Sequence, residues 1–281
     1  MDATSMVQEL REDSKREATV QELAKMRGSL PGLAQALWDS PGALEALKEE
    51  VEAIYPHLSQ PEEVTAPAVS RVCNAMSLLQ LLASDQETKV LFLEAQFHLL
   101  VYPFLSTSDT ERPFEYLRLT ALGVIGALLS ANSGSVKSLL ETDLLRLCLN
   151  SLEGQASELS KTVAAFILQQ LLLDDHGLHF ICSSEASLSK VTDALSAVVE
   201  TLVQAPSIRL LKPLVRCYLR LTEDPRGKRR VKEFLPEGLR SEPSLKQLPA
   251  SICQSLKEDP VTKKWLRQLL TNLDSETALG V

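Results

Sequence analysis

Apolar helical segments recur along this chain at near-equal spacing, and that recurrence limits its fold more than any other feature. Ser77–Ser84, Gly123–Ser130, Phe166–Leu173 and Arg216–Glu223 each read as the core of a long apolar helix followed by a shorter helical stretch. With Leu78, Val124, Ile167 and Cys217 taken as equivalent, the offsets are 46, 43 and 50 residues. Armadillo and HEAT units repeat every 40–47 residues or so. One such unit cannot bury its own apolar helix, so units stack until their cores join and leave a concave groove exposed. The spacing therefore predicts an all-α chain built as a right-handed α-solenoid of armadillo type.

Composition points the same way. With 11 Gly and 5% aromatic residues in 281, the chain is poor in the turn formers and strand formers that β-rich folds need. Pro and Gly mark boundaries at Pro31-Gly32, Pro41-Gly42, Pro67, Pro113, Gly177, Pro206 and Pro225, several of them at helix starts, where a missing N–H costs little. The five cysteines are odd in number, scattered and mostly set in apolar helical patterns, as expected of buried thiols in a reducing compartment. The polar N-terminus has no signal-peptide core, and no apolar run approaches the roughly 20 residues of a membrane span. A soluble intracellular protein without membrane contact is expected.

The net charge of -8 is unevenly spread. Residues 1–63 carry 6 basic and 13 acidic side chains, a net of -7, whereas 206–240 carry 10 basic and 4 acidic, a net of +6. An acidic chain with one basic stretch is not a general nucleic-acid coat, but that stretch is a candidate anion-binding face.

A set of strings in fixed order carries a family resemblance. They are Trp38, Ile54-Tyr-Pro56, Arg71-Val-Cys-Asn-Ala75, Tyr102-Pro-Phe-Leu105, Arg112 to Thr120, Leu122 to Leu128, Glu158 to Ala164, Leu172-Leu-Asp-Asp175, Arg209-Leu-Leu-Lys212, Val215 to Leu221 and Lys263-Lys-Trp-Leu266. Between about Leu23 and Leu273 the chain resembles the "required for cell differentiation" family, the Caf-forty subunit of the CCR-NOT mRNA deadenylase complex. The resemblance implies about six armadillo repeats in residues 13–273, between an acidic tail at 1–12 and a short tail at 274–281. It implies a scaffold and adaptor without catalytic activity or cofactor, acting in mRNA decay and translational repression. The expected partners are the large NOT scaffold and short linear motifs of mRNA regulators, with self-association as a homodimer. The expected location is the cytoplasm, including mRNA-decay granules, and the nucleus.

Four places are candidate sites. Tyr116, Thr120, Gly123 and Ala127 fall at i, i+4, i+7 and i+11 of one helix, and all but Tyr116 are small. Such a face is either a hollow for a partner helix or a surface for close repeat packing. The resemblance favours the hollow and adds Val163 from the next repeat. Second, Arg209, Lys212, Arg216 and Arg220 line one helix face ahead of Arg226, either as a phosphate-binding stripe with Tyr218 as its nearby aromatic or as a solvated surface. A nucleic-acid-binding armadillo protein using this stripe is the second functional reading, with weak nucleic-acid contact.

Third, the resemblance places the dock for the NOT scaffold around Trp38 to Tyr55, where Glu45, Lys48 and Glu52 stand at positions that relatives keep small or apolar. Charge is disfavoured at interface centres, so this dock reads either as rewired or as a solvated face. Fourth, animal relatives carry tryptophan-accepting pockets, and this chain has Glu185 and Ser187 where those pockets place a Tyr and an Arg. That activity is not expected here. Asp174, Asp175, His176 and His179 lie at a helix boundary where Asp caps, so no metal is expected. No Cys-x-x-Cys, phosphate-binding Gly loop or nucleophile elbow occurs, and no enzyme is expected.

Overall fold

A computed structural model describes residues 2–130, 134–202, 205–240, 253, 256 and 259–275. Among these residues there are helices and no strand. The chain divides into two compact units, Met1–Ser135 and Val136–Val281.

The first unit contains α1 (Ala3–Gln8), α2 (Asp13–Met26), α3 (Leu33–Asp39), α4 (Ala43–Glu52), α5 (Ala66–Ser84), α6 (Thr88–Glu94), α7 (Tyr102–Ser106) and α8 (Arg112–Leu129). Two short helices precede each long one: α3 and α4 lead into α5, and α6 and α7 into α8. The long helices α5 and α8 pack side by side, and α2 also packs on α5. Local chemistry starts them. The Thr65 hydroxyl accepts from the Ala68 N–H at 3.4 Å, and Pro67 occupies the first turn of α5. Leu78, Leu79 and Leu82 are then fully buried, each contributing about 1.5–3 kcal/mol of transfer free energy.

The second unit contains α9 (Ser135–Leu140), α10 (Leu144–Glu153), α11 (Glu158–Leu173), α12 (Asp175–Ser183), α13 (Glu185–Thr201), α14 (Ile208–Leu221), α15 (Pro225–Phe234) and α16 (Pro260–Asp274). Here α11 packs on α14, and α14 on α16. Ser157, Ser207 and Asp259 cap these three helices, each accepting from a backbone N–H of the first turn.

One junction recurs through both units. Asp85, Asp174 and Asp224 each accept two N–H groups at the start of the following helix, at 2.8–3.1 Å. Three residues before each lies a Leu whose carbonyl meets the residue three after the Asp. Leu82 O accepts from the Thr88 hydroxyl at 2.8 Å. Leu171 O and Leu221 O lie so close to Gly177 and Gly227 that an added Cβ would sit 1.9 and 2.2 Å from them. The Asp spacings, 89 and then 50 residues, equal those of Leu78, Ile167 and Cys217. Position 131, one repeat after Asp85, lies outside the described residues.

The expected tail at 1–12 is corrected by α1 and a 3₁₀ turn at Glu9–Arg11. Met6, Val7 and Leu10 are buried, α1 packs on α3, and the Asp2 carboxylate caps α1 by accepting from Ser5 N–H at 2.8 Å. Three apolar side chains among polar neighbours are enough to seat the segment. Of the expected C-terminal tail, Asp274 and Ser275 close α16, and 276–281 lie outside the described residues.

His98 is 3% exposed, and among the described residues neither ring nitrogen has a hydrogen-bond partner. Tyr102 meets it edge-on at 5.9 Å between centroids. Burial lowers its pKa from 6.5 to about 4. A depressed imidazole pKa means that the unfolded chain takes up a proton first as pH falls. The stability tied to neutral His98 is therefore complete above pH 6.5 and is lost on descending from 6.5 towards 4. In His98→Phe the melting temperature should fall less between pH 7 and pH 5 than in the natural chain, which thermal melts at the two pH values measure. An equal fall would show that His98 does not govern the acid limb.

Candidate docking faces on the long helices

The predicted groove residues of α8 are brought beside α5. Tyr116 is 58% exposed and, with Thr120, lines a cleft of about 480 Å³. Its other wall is Ala66, Val69, Ser70 and Cys73 of α5, and Arg112 and Pro113 stand at one end. Thr120 donates to the Tyr116 carbonyl at 2.8 Å and to Cys73 Sγ at 3.5 Å. One turn further along, the Gly123 Cα faces Gln80, whose amide an added Cβ would meet at 3.4 Å. Ala127 lies in the last turn of α8, where the buried Lys89 ammonium caps the helix by donating to Ala127 O at 3.3 Å and Ser130 O at 2.6 Å. The α5 wall escaped the sequence reading, although Val69, Cys73 and Gln80 follow helical spacing.

Val163 belongs to the second unit, where it is half-buried on α11. On the same face Leu159 and Phe166 are 54% and 40% exposed. Sequence reading missed both, because large apolar residues on a helix of this kind look like core.

The basic stripe of α14 is not a row of equivalent cations. Lys212 pairs with Asp259 at 3.0 Å. Arg220, 13% exposed, donates to Leu172 O at 2.9 Å and pairs with both Asp175 and Glu223. Arg226 donates to Ser183 O at 3.2 Å. Arg209 and Arg216 form no ion pair with a described carboxylate. Tyr218, the aromatic expected near the stripe, is fully buried, with its hydroxyl 3.0 Å from Ser196 Oγ. The aromatic at the stripe is Trp265 of α16, with Arg216 at 5.1 Å and Lys212 at 5.9 Å from its ring centroid.

On α4, Glu45 and Lys48 are exposed and Glu52 is partly so, with Lys48 and Glu52 3.8 Å apart. Trp38 is half-buried on α3, edge-on to Phe97 at 6.2 Å. The opposite face of α4 holds Glu50, 2% exposed, whose carboxylate accepts both a side nitrogen and a terminal nitrogen of Arg71. This pair, buried on the Glu50 side and partly exposed on the Arg71 side, ties α4 to α5 and gives the quoted Arg71 string a structural role.

Glu185 is exposed in the first turn of α13. Ser187 lines a cleft of about 480 Å³ with Phe180, Lys190, Arg146 and Leu149, so an aromatic ring and two cations stand there from positions other than 185 and 187. Asp174 caps α12, Asp175 pairs with Arg220, and His179 contacts Ser183 Oγ at 3.2 Å. No group of metal-binding side chains occurs among the described residues. Burial pushes the Cys148 and Cys182 thiols up to about 12, with Asp224 adding to the rise at Cys182. Neither is a thiolate near neutral pH. No described helix is long and apolar enough to cross a membrane.

Helix triplets joined by one repeated junction, with exposed Tyr116 on α8 of the first unit and exposed Leu159 and Phe166 on α11 of the second, are the pattern of an armadillo-type α-solenoid. The chain belongs to the Cell differentiation family, Rcd1-like, whose model matches residues 6–273. It is 46% identical over 259 residues to Cell differentiation protein rcd1 of Schizosaccharomyces pombe, covering 92% of this chain and 88% of that one. It is 45% identical over 265 residues to Protein CAF40 of Saccharomyces cerevisiae, covering 94% and 68%. Among solved structures it is similar to an engineered protein with TM-score 0.61 and 18% identity, covering 98% of this chain and all of that one. A designed armadillo repeat protein in complex with the peptide (KR)4 aligns with TM-score 0.60 and 17% identity, over 98% and 100% of the two chains. At these identities the likeness is one of fold, an all-α solenoid.

Proposed function

We propose that this chain is a non-catalytic adaptor subunit of the CCR-NOT complex in mRNA deadenylation, decay and translational repression. It meets the large NOT scaffold through the α3–α4 face at Trp38, Glu45, Lys48 and Glu52. Short helical peptides of mRNA regulators bind at Tyr116, Thr120, Gly123 and Ala127 of α8 and at Val163 of α11. Work in the cytoplasm, with access to the nucleus, belongs to the same reading.

The observation that carries the peptide reading is Tyr116, a large ring left 58% exposed beside an open, partly apolar cleft. Thr120, Gly123 and Ala127 follow Tyr116 on the same side of α8 with small side chains, which favours a helix-in-groove contact. Family membership supports the CCR-NOT assignment, and the peptide held by a designed armadillo protein supports the use of this fold for peptides. Purified protein incubated with polyadenylated RNA should leave tail length unchanged over hours on a denaturing gel. Progressive shortening by the purified chain would contradict the adaptor reading.

A further inference from the structure

We infer that the outward face shared by α11 and α14 docks an amphipathic helix carrying an acidic flank. The inference rests on the adaptor reading and names the chemistry of one partner.

Three contacts fix how α11 and α14 lie. Ser207 Oγ donates to the Glu158 carboxylate at 2.5 Å near the start of both helices, and Arg220 Nε donates to Leu172 O at 2.9 Å near the end of both. Between them, Cys217 Sγ lies 4.0 Å from Ala165 O. Residues 49, 48 and 52 apart are thus joined in the same order, so the helices run parallel and in step. Arg209 is then level with Leu159, Lys212 with Val163 and Arg216 with Phe166.

Two stripes result. On α11, Leu159, Val163 and Phe166 stand at i, i+4 and i+7, with the first and last 54% and 40% exposed. Single exposed apolar residues are ordinary, but three on one helical line form a ridge. Between residues 209 and 221, α14 leaves only Arg209, Lys212, Arg216 and Arg220 unburied, so the neighbouring stripe is cationic. Asp259 neutralises Lys212, and Asp175 with Glu223 neutralises Arg220. Arg209 and Arg216 are left without a described carboxylate, and stacking on Trp265 holds the second of them in place.

These two guanidinium groups, without a described carboxylate, are seven residues apart, roughly 10 Å along a helix. A helix lying in the trough sets its own apolar ridge on α11. Two carboxylates seven residues apart on its flank, which share one side of a helix, then reach Arg209 and Arg216. Phosphates of a nucleic acid could use the same cations but would leave Leu159 and Val163 unmatched.

The test is a titration of the full chain with a fluorescein-labelled 18-residue designed helix bearing a Leu ridge and two Glu seven residues apart. Its counterpart has Lys for both Glu, and oligouridylate RNA is run in parallel. The acidic helix should bind about tenfold more tightly than the Lys helix, the sum expected of two partly exposed ion pairs and their reversal. Arg209→Glu/Arg216→Glu should invert that order, whereas the charge-matched Lys137→Glu/Lys232→Glu should preserve it. Equal affinity for the two helices, binding of neither, or retention of RNA alone through Arg209 and Arg216 would overturn the inference. Val163 is common to this face and to the proposed peptide site, but Arg209→Glu/Arg216→Glu leaves Tyr116, Thr120, Gly123 and Ala127 untouched and Gly123→Trp leaves Arg209 and Arg216 untouched, so the cationic flank and the α8 residues can fail independently.

Discussion

Gly177→Ala should lower the thermal midpoint of the chain by more than about 6 °C, although it adds one methyl group. The Cβ would stand 1.9 Å from the Leu171 carbonyl oxygen and 3.2 Å from Val136 Cγ1. A backbone carbonyl at the end of a packed helix has no alternative rotamer, so the last turn of α11 must move away from α12. Overpacking of this kind costs about 3 kcal/mol or more when backbone rather than side chain has to yield. Gly227→Ala should behave alike, because its Cβ would lie 2.2 Å from Leu221 O and 3.2 Å from Cys182 Sγ. Circular dichroism melts of the two variants check both. Melts unchanged within 2 °C, on the order of 1 kcal/mol or less, would show that the repeated junction does not hold the array together.

Gly123→Trp is expected to do the reverse, sparing the fold and removing a function. An added Cβ there meets only the amide end of Gln80 at 3.4 Å, which can swing aside. Replacing a glycine inside a helix by Trp also restores roughly 0.5 kcal/mol of helix propensity, offsetting the moved glutamine. The indole then covers the α8 face between Thr120 and Ala127, where a docked helix would place its apolar ridge. Peptide partners retained by the natural chain in a pull-down should fall at least tenfold with the variant, while its melting temperature stays within a few degrees. Undiminished retention by a folded Gly123→Trp chain would remove the α8 groove from the account.

Much of the fold is legible in the sequence because burial writes itself as periodicity. Leu78, Val124, Ile167 and Cys217 announce the long helices, and their uneven offsets reappear in the spacing of the capping Asp residues. The reason Gly177 is glycine was not legible, since a close approach between two helices depends on where a carbonyl points. The N-terminal helix was missed because Met6, Val7 and Leu10 form too short a pattern to separate from a polar tail.

The sites divide in the same way. Tyr116 and Thr120 were found by spacing on one helix, but their partners Val69 and Cys73 lie one repeat earlier. The four cations of α14 look alike in sequence. Only tertiary structure commits Arg220 to Asp175 and Leu172 O and leaves Arg216 on Trp265. Charge reads out of a sequence as a sum, and its function depends on which charges are already paired.

The central claim, that this chain is an adaptor within the CCR-NOT complex, is tested most directly by affinity purification of the tagged full chain from its native cell, with mass spectrometry of what accompanies it. The account predicts that the large NOT scaffold subunit co-purifies with both the natural chain and Gly123→Trp, since the α3–α4 face is untouched by that change. Recovery of the chain without any NOT subunit would contradict it.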